Sequence, residues 1–368
     1  MNIYQLIRPL IFKLDPETAH NLAIKYLQYF PHFATQFSYQ KNYKNLTNKL
    51  WDIEFSNPVG LSGGFDKNAE ILFPLSKFGF GFIECGTTTP LSQIGNNKPR
   101  IFRLEPEKAI INRLGFNNLG SEVFLKNINN FYKKNNNKAP TIGINIGKNK
   151  DSQDNIADYI FLLEKFFNYC NYLTVNISSP NTVNLRSLQK KEELQKLIDA
   201  LIEKREALST KYQKKLPILF KIAPDLTLEE QEDIAKIALE NNLDGLIISN
   251  TTTSRLNITK PHKLNIQDFE NGGLSGAPLF DKSTMILRNF YQLTKGKIPL
   301  IGVGGVSNAK QAYQKIRCGA SLVQIYTAFI YEGFSLVEQI KEELNQLLIA
   351  DGFNNIKDAI GVDVKENN

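Results

Sequence analysis

Val175-Asn176-Ile177-Ser178-Ser179-Pro180-Asn181-Thr182 is the stretch on which the fold turns. It continues an apolar run, Tyr172-Leu173-Thr174-Val175, and finishes in amides and hydroxyls around a proline. Parallel α/β proteins present their sites in this way, because ligands bind beyond the carboxyl ends of the strands. Ser, Pro and Asn are also ordinary turn residues, so a plain strand-to-helix turn accounts equally well for this segment taken alone. Recurrence along the chain separates the two readings.

Outward from this stretch, short apolar runs alternate with helical patterns from residue 57 onward. Strands are predicted at Val59–Leu61, Gly81–Glu84, Thr141–Ile146, Tyr172–Ile177, Pro217–Ile222, Gly245–Ile248, Pro299–Val303 and Leu322–Ile325. Amphipathic helices are predicted between most of them, among them Asp154–Asn168, Lys191–Leu208, Leu228–Asn241 and Ala309–Cys318. Eight strands alternating with helices and no reversal predict an α/β fold, a (β/α)8 TIM barrel over 57–350, in preference to an open doubly wound sheet. Residues 41–56 read as a connecting segment, and 351–368 as a C-terminal tail for which disorder is the default.

Residues 1–40 form a separate unit, an N-terminal two-helix amphipathic arm. Ile3, Leu6, Ile7, Leu10, Ile11 and Leu14 recur at helical spacing. Asp15-Pro16-Glu17 then reads as an N-cap, a first-turn proline and an acidic first turn. Ala19, Leu22, Ala23, Tyr26, Leu27 and Phe30 form the apolar face of the second helix, and Phe33 and Phe37 add aromatic weight. Such an arm either packs on the barrel or lies in a membrane interface.

With 42% hydrophobic and 22% charged residues, the 368-residue chain is ordinary globular material. A formal charge of +7 and a pI near 9.0 suit nucleic acid, anionic lipid or anionic substrates. The lysines are scattered and no nucleic-acid-reading motif occurs, so nucleic acid is not expected as a partner. Cys85, Cys170 and Cys318 form no CxxC pair, which excludes a Cys-rich zinc or iron–sulfur site within the chain. His20, His32 and His262 lack metal-ligand spacing, and no metal is expected. The first residues do not read as a cleavable signal, and no apolar stretch reaches bilayer-crossing length.

The predicted strand ends carry the chemistry. They read Ser62 to Lys67, Gly86 to Pro90, Asn145 to Asn149, Asn176 to Thr182, Lys221 to Asp225, Ser249 to Thr252, Gly304-Gly305 and Tyr326-Thr327. Backbone amides after the seventh and eighth strands of such barrels form a phosphate site, and Gly272 to Gly276 offers a third glycine-rich contributor. Lys67 and Lys221 are either Schiff-base nucleophiles or fixed positive charges. The surplus of neutral amides at Asn112, Asn145, Asn176, Asn181 and Asn250 favours fixed charge, because these groups suit planar heterocycles with adjacent N–H and C=O groups. Absence of a carboxylate pair or Ser-His-Asp set disfavours hydrolysis, and the combination points to flavin redox chemistry.

Asn57 to Leu61, Gly64 to Lys67, Ile111 to Asn118, Gly143 to Asn149, Asn176 to Thr182, Lys221 to Asp225, Gly272 to Gly276, Gly302 to Gly305 and Gln324 to Tyr326 together resemble dihydroorotate dehydrogenase. The likeness runs from about Leu14 to about Phe334 and is closest to the quinone-dependent class 2 branch, which has the helical arm. Soluble class 1 enzymes use a cysteine base where this chain has Ser179. Ser62, Gly63 and Ser249 depart slightly from the usual residues while keeping their size or hydroxyl.

The resemblance implies oxidation of (S)-dihydroorotate to orotate in de novo pyrimidine biosynthesis, with FMN as cofactor and a membrane quinone as acceptor. It places Gly63, Gly64, Phe65, Asp66, Lys67, Thr87, Asn145, Asn176 and Ser249 at FMN, Lys221 at its pyrimidine edge, and Gly276, Gly305, Tyr326 and Thr327 at its phosphate. Dihydroorotate is expected at Lys67, Asn112, Arg113, Leu114, Gly115, Phe116, Asn176, Asn181, Asn250 and Thr251. Ser179 is the implied base for the C5 proton while the C6 hydride passes to the flavin, with Thr182 and Phe116 flanking a proton path. His20 and Arg103 are implied at the quinone. The implied setting is peripheral, on anionic lipid at the cytoplasmic face of an inner membrane, and no iron–sulfur partner subunit is expected. A tRNA dihydrouridine synthase and a non-catalytic membrane-bound barrel are the rivals. The first needs an RNA-binding appendage absent here, and the second predicts loss of Ser179, Lys67 or the asparagines, all present. The polar segment Val183 to Lys191 is expected to act as a lid.

Overall fold

The computed structural model describes residues 3–35, 40–134, 140–256, 258 and 264–364. Phe37, His262 and the last four residues of the tail lie outside the described residues. The parallel strands β1 (Val59–Leu61), β2 (Phe82–Thr88), β3 (Thr141–Ile146), β4 (Tyr172–Asn176), β5 (Ile218–Ile222), β6 (Gly245–Ile248), β7 (Leu300–Val303) and β8 (Leu322–Ile325) pair in chain order. The barrel closes where β8 meets β1, with Val323 opposite Val59. This is the predicted (β/α)8 barrel.

Alternation along each strand sorts the side chains. Ile83, Cys85, Ile142, Ile144, Leu173 and Val175 point outward into the layer shared with the helices. Phe82, Tyr172, Leu219, Ile247, Ile301 and Leu322 fill the lower interior. Two glycines make room for the rings there. A β-carbon on Gly60 would stand 2.3 Å from the Phe82 ring, and one on Gly143 would stand 2.1 Å from Tyr172. Higher in the barrel the same inward positions become polar, with Glu84, Thr174 and Gln324 beneath Asn145, Asn176 and Lys221.

Residues 41–56 are more than a connector. Asn48–Leu50 and Ile53–Phe55 form an antiparallel hairpin across the lower end of the barrel. Phe55 meets Phe82 edge-on at 5.5 Å, and the Trp51 indole donates to the Asp244 carbonyl at 2.7 Å. A three-stranded antiparallel sheet (Ile101–Leu104, Ala109–Asn112, Gly273–Gly276), not foreseen from the sequence, stands at the upper rim and brings Asn112 and Gly276 there.

The arm folds as α1 (Ile3–Ile11) and α2 (Pro16–Tyr29), with Asp15 capping the Thr18 amide at 2.9 Å, followed by a short helix at Pro31–Thr35. Ala19, Ile24 and Leu27 are buried, whereas Leu6, Leu10, Leu22, Tyr29 and Phe30 are exposed. Glu17 clamps α2 to the barrel. Its carboxylate takes two hydrogen bonds from Arg100, at 2.7 and 3.0 Å, while Arg100 also donates to the Ile94 and Asn96 carbonyls. No helix among the described residues is long and apolar enough to cross a membrane.

The tail is ordered through residue 364, contrary to the disorder expected for it. Ile356, Ala359 and Val364 are buried, and Arg317 pairs with Asp351 and Asp363 at 2.5 and 2.6 Å. Apolar residues spaced through an otherwise charged segment hold it down.

Candidate active site

A cavity of about 500 Å³ runs between the arm and the upper end of the barrel. At the arm it is walled by apolar side chains such as Ile7, Ile11 and Ala23; at the barrel it meets the polar strand ends. His20 and Arg103 both line the arm side. His20 packs edge-on to Phe65, at 5.3 Å between ring centres. Burial and the nearby Lys67 ammonium depress its pKa to about 3, so the imidazole is neutral near pH 7. Arg103 donates to the Phe12 and Leu14 carbonyls at 3.1 and 3.0 Å and lies over the Phe12 ring.

The floor is organised by a residue that the sequence reading passed over. Glu84 is fully buried and accepts hydrogen bonds from Asn145 at 2.7 Å, Gln324 at 2.9 Å and Thr174 at 3.0 Å. The Lys221 ammonium lies 3.9 Å from this carboxylate and donates to the Ser62 hydroxyl at 3.0 Å. Burial lowers the Lys221 pKa, and Glu84 opposes that shift. A lone acid in the apolar run Phe82-Ile83-Glu84-Cys85, on the inward parity of Phe82, was the available signal.

Above the floor the amides interlock. Asn176 donates to the Thr87 hydroxyl at 3.1 Å and the Asn145 side-chain oxygen at 3.2 Å, while Asn250 donates to the Ser178 hydroxyl at 2.9 Å. Across the cavity Asn181 donates to the Asn112 backbone and side-chain oxygens at 3.0 and 3.2 Å. Ser179 lines the cavity between these groups, its oxygen accepting from the Asn181 amide at 3.2 Å. The Thr251 hydroxyl and the Gln324 amide oxygen are buried without hydrogen-bond partners, and both residues line the cavity. The wall of the cavity thus holds hydrogen-bonding capacity that the protein itself does not use. Lys67 is half-buried at the junction of the polar and apolar halves, and desolvation brings its pKa down to about 8.

On the opposite rim, Gly304 and Gly305 adopt positive φ and lie against the first turn of the helix Phe280–Leu293. A β-carbon on Gly305 would stand 2.6 Å from the Phe280 amide nitrogen. Gly276, also at positive φ, faces Thr327, the first residue of the helix Thr327–Glu332. Two helix starts and a close glycine backbone make an anion cradle. Tyr326 lines the cavity beside it, its hydroxyl donating to the Gly64 carbonyl at 3.4 Å. Burial pushes that phenol up to about 12. Gly63, Gly64, Phe65, Ser249, Leu114, Gly115 and Phe116 complete the wall.

Four expected site residues stand off the cavity surface. Arg113 turns away to pair with Asp268 at 2.5 Å and lies over Phe102. Asp66 accepts from the Glu70 and Ile71 amides at 2.8 and 2.9 Å, supporting the loop that carries Lys67; burial raises its pKa to about 6. Asn145 lies beneath Thr87, and the buried Thr182 hydroxyl has no partner. The segment Val183 to Lys191, read as patternless, contains buried Leu185 and Leu188 and a short helix at Arg186–Gln189. Arg186 ties it to the Ser178 and Thr251 carbonyls, at 3.0 Å each, and to Asp225 at 2.9 Å.

Fold and cavity together define a ligand-binding α/β barrel whose polar mouth opens into an apolar arm. A family model described as dihydroorotate dehydrogenase matches residues 45–348. The chain is 47% identical to the dihydroorotate dehydrogenase (quinone) of Parvibaculum lavamentivorans, over 99% of both chains. It is 45% identical to the mitochondrial dihydroorotate dehydrogenase (quinone) of Oryza sativa subsp. japonica, over 98% of this chain and 80% of that one. The crystal structure of DHODH from Eimeria tenella in complex with ferulenol superposes with a TM-score of 0.87 at 38% identity, covering 96% of each chain. This chain belongs to the dihydroorotate dehydrogenase family.

Proposed function

We propose that this chain oxidises (S)-dihydroorotate to orotate, with FMN as its flavin and a membrane quinone as the final acceptor. The observation that carries the reading is one continuous cavity joining the amide cluster around Ser179 to the apolar faces of the arm. FMN, when bound, supplies the hydride acceptor for the substrate and the electrons for the quinone. Gly276, Gly305, Tyr326 and Thr327 hold its phosphate, and Lys221 faces its electron-rich edge. Lys67 binds the substrate carboxylate, while Asn112, Asn176, Asn181 and Asn250 hold the ring in plane. The Ser179 hydroxyl removes the C5 proton. A serine is a weak base at neutral pH, so the proton leaves by a relay past the unpartnered Thr182 hydroxyl and Phe116. Arg113 and Asp66 act by supporting the backbone of their loops.

His20 and Arg103 receive the quinone at the arm side. The exposed apolar residues of 1–40 dock peripherally on anionic lipid, at the cytoplasmic face of an inner membrane, while 57–350 carries the chemistry. Two measurements test the reading. Dihydroorotate bleaches the bound flavin anaerobically, and a long-chain quinone restores its colour faster than fumarate or NAD does. A Leu6→Gln, Leu10→Gln, Phe30→Gln variant keeps the bleaching but no longer sediments with anionic liposomes. Reoxidation by NAD in preference to quinone, or undiminished liposome binding by the variant, would overturn the corresponding half.

A further inference from the structure

Lys315, on the helix Ala309–Arg317, is fully buried. Its ammonium donates to the Ser283 hydroxyl at 2.8 Å and the Thr284 hydroxyl at 3.0 Å, and it lies 5.1 Å from the centre of the Phe280 ring. It forms no ion pair among the described residues. A buried ammonium held by neutral hydroxyls alone is costly, and such a group is ordinarily offset by opposite charge. Among the described residues no carboxylate lies within ion-pair distance to supply that charge, and Asp281 acts on the ammonium only from farther away.

The surroundings indicate where it comes from. The Ser283 hydroxyl lies 2.9 Å from the Gly304 carbonyl oxygen, so one hydroxyl separates Lys315 from the glycine loop that lines the cavity. Ser283 and Thr284 belong to the first turns of the helix whose start abuts Gly305. We infer that Lys315 is a positioning residue for the phosphate of a phosphorylated cofactor, a buried cation set behind the Gly304-Gly305 loop and acting through Ser283. The inference rests on the FMN reading and adds to it the origin of phosphate selectivity: a counter-charge inside the protein in place of a surface arginine or lysine.

Burial brings the Lys315 pKa down to about 7. The titratable groups facing it are Cys318, just beyond the end of its own helix, and Asp281, on the helix Phe280–Leu293. The strand beneath, Leu300–Val303, carries none. An anion in the cradle raises this pKa, so binding near pH 8 draws a proton onto the lysine, while the ligand phosphate, with a second pKa of about 6, is already a dianion.

The full chain, stripped of flavin, is titrated with FMN and with riboflavin, which lacks the phosphate, by quenching of flavin fluorescence. Lys315→Met is expected to weaken FMN about tenfold or more and leave riboflavin within about twofold, collapsing the FMN-to-riboflavin ratio. If the unaltered protein fails to bind FMN, the cofactor reading falls. If it binds FMN and the methionine variant keeps the same ratio, the role of Lys315 falls and the cofactor reading stands. Calorimetry on the unaltered chain in two buffers of different ionisation enthalpy, near pH 8, supplies a readout independent of the variant's folding. Net proton uptake with FMN and none with riboflavin is the expected result, and equal proton exchange for the two ligands overturns the inference.

Discussion

Lys221 and Glu84 face each other in the middle of the barrel, the ammonium 3.9 Å from the carboxylate and both side chains almost wholly shielded from water. Their charges oppose each other at the floor of the cavity, so altering either one changes the field felt by a flavin above them. Lys221→Ala is expected to lower FMN occupancy and move the flavin midpoint to more negative potential. Glu84→Gln removes the negative partner and is expected to move it to more positive potential. Each 1.4 kcal/mol of altered interaction is about 30 mV for a two-electron couple. Potentiometric titration against a reference dye reads both shifts, and displacement of the two variants in the same direction would rule out this arrangement.

Ser179→Ala is expected to slow flavin reduction by dihydroorotate roughly 10²–10⁴-fold, the usual cost of a lost general base. Orotate binding should weaken far less, because the surrounding asparagine side chains are held by Thr87, Asn145, Ser178 and Asn112, and the Ser179 oxygen takes only the Asn181 backbone amide. Stopped-flow absorbance of the flavin gives the rate, and reduction at a near wild-type rate would remove Ser179 from the base role.

Lys67 gives a pH dependence with a definite sign. Desolvation lowers its pKa to about 8, so the side chain is charged below that pH and loses its proton above it. Affinity for the orotate anion is therefore expected to fall as pH rises through about 8, by at most about tenfold per pH unit. Spectral titration of the flavin with orotate across this range measures it. A constant dissociation constant would mean that Lys67 does not neutralise the ligand.

Glu17 should govern the seating of the arm. Burial acts to raise its pKa, but the hydrogen bonds and charges of Arg100 and Lys98 outweigh that and hold it below the ordinary carboxylate value. Its contribution is thus present above the unfolded value of about 4.5 and is lost as pH falls through the lower folded value. Glu17→Ala, which leaves Arg100 buried without its partner, is expected to cost about 3 kcal/mol near pH 7. The gap from wild type should narrow below about pH 4. Denaturant melts at both pH values decide it, and an unchanged gap in acid would show that the ion pair is not the source.

The barrel was legible because its outward positions are apolar with few breaks. Thr141–Ile146, Gly245–Ile248 and Leu322–Ile325 were placed to the residue. What the apolar runs concealed was parity. Glu84 read as the end of a strand that continues to Thr88, because one acid among Phe, Ile and Cys resembles a boundary unless the inward face is tracked. The antiparallel sheet escaped notice for a different reason: Ile101–Leu104 and Ala109–Asn112 span four residues each, around the charged turn Glu105 to Lys108, too short for alternation to register. The motifs did not give the directions of the Arg113 and Asp66 side chains, which their partners determine: Asp268, distant in sequence, for Arg113, and the backbone amides of the next turn for Asp66. The amides of Asn176, Asn181 and Asn250 were readable because strand ends leave polar groups little else to do.

The hairpin wedged under the barrel, with Phe55 against Phe82 and Trp51 anchored to Asp244, turns the barrel into a cup. On the proposed reading the polar substrate and the greasy acceptor reach the centre from the same side, the substrate by the asparagine flank of the rim and the acceptor by the arm flank. On that same reading, a compound lodged between α1 and α2 is expected to leave the asparagine flank vacant and to block reoxidation of the flavin, so that raising the dihydroorotate concentration does not dislodge it.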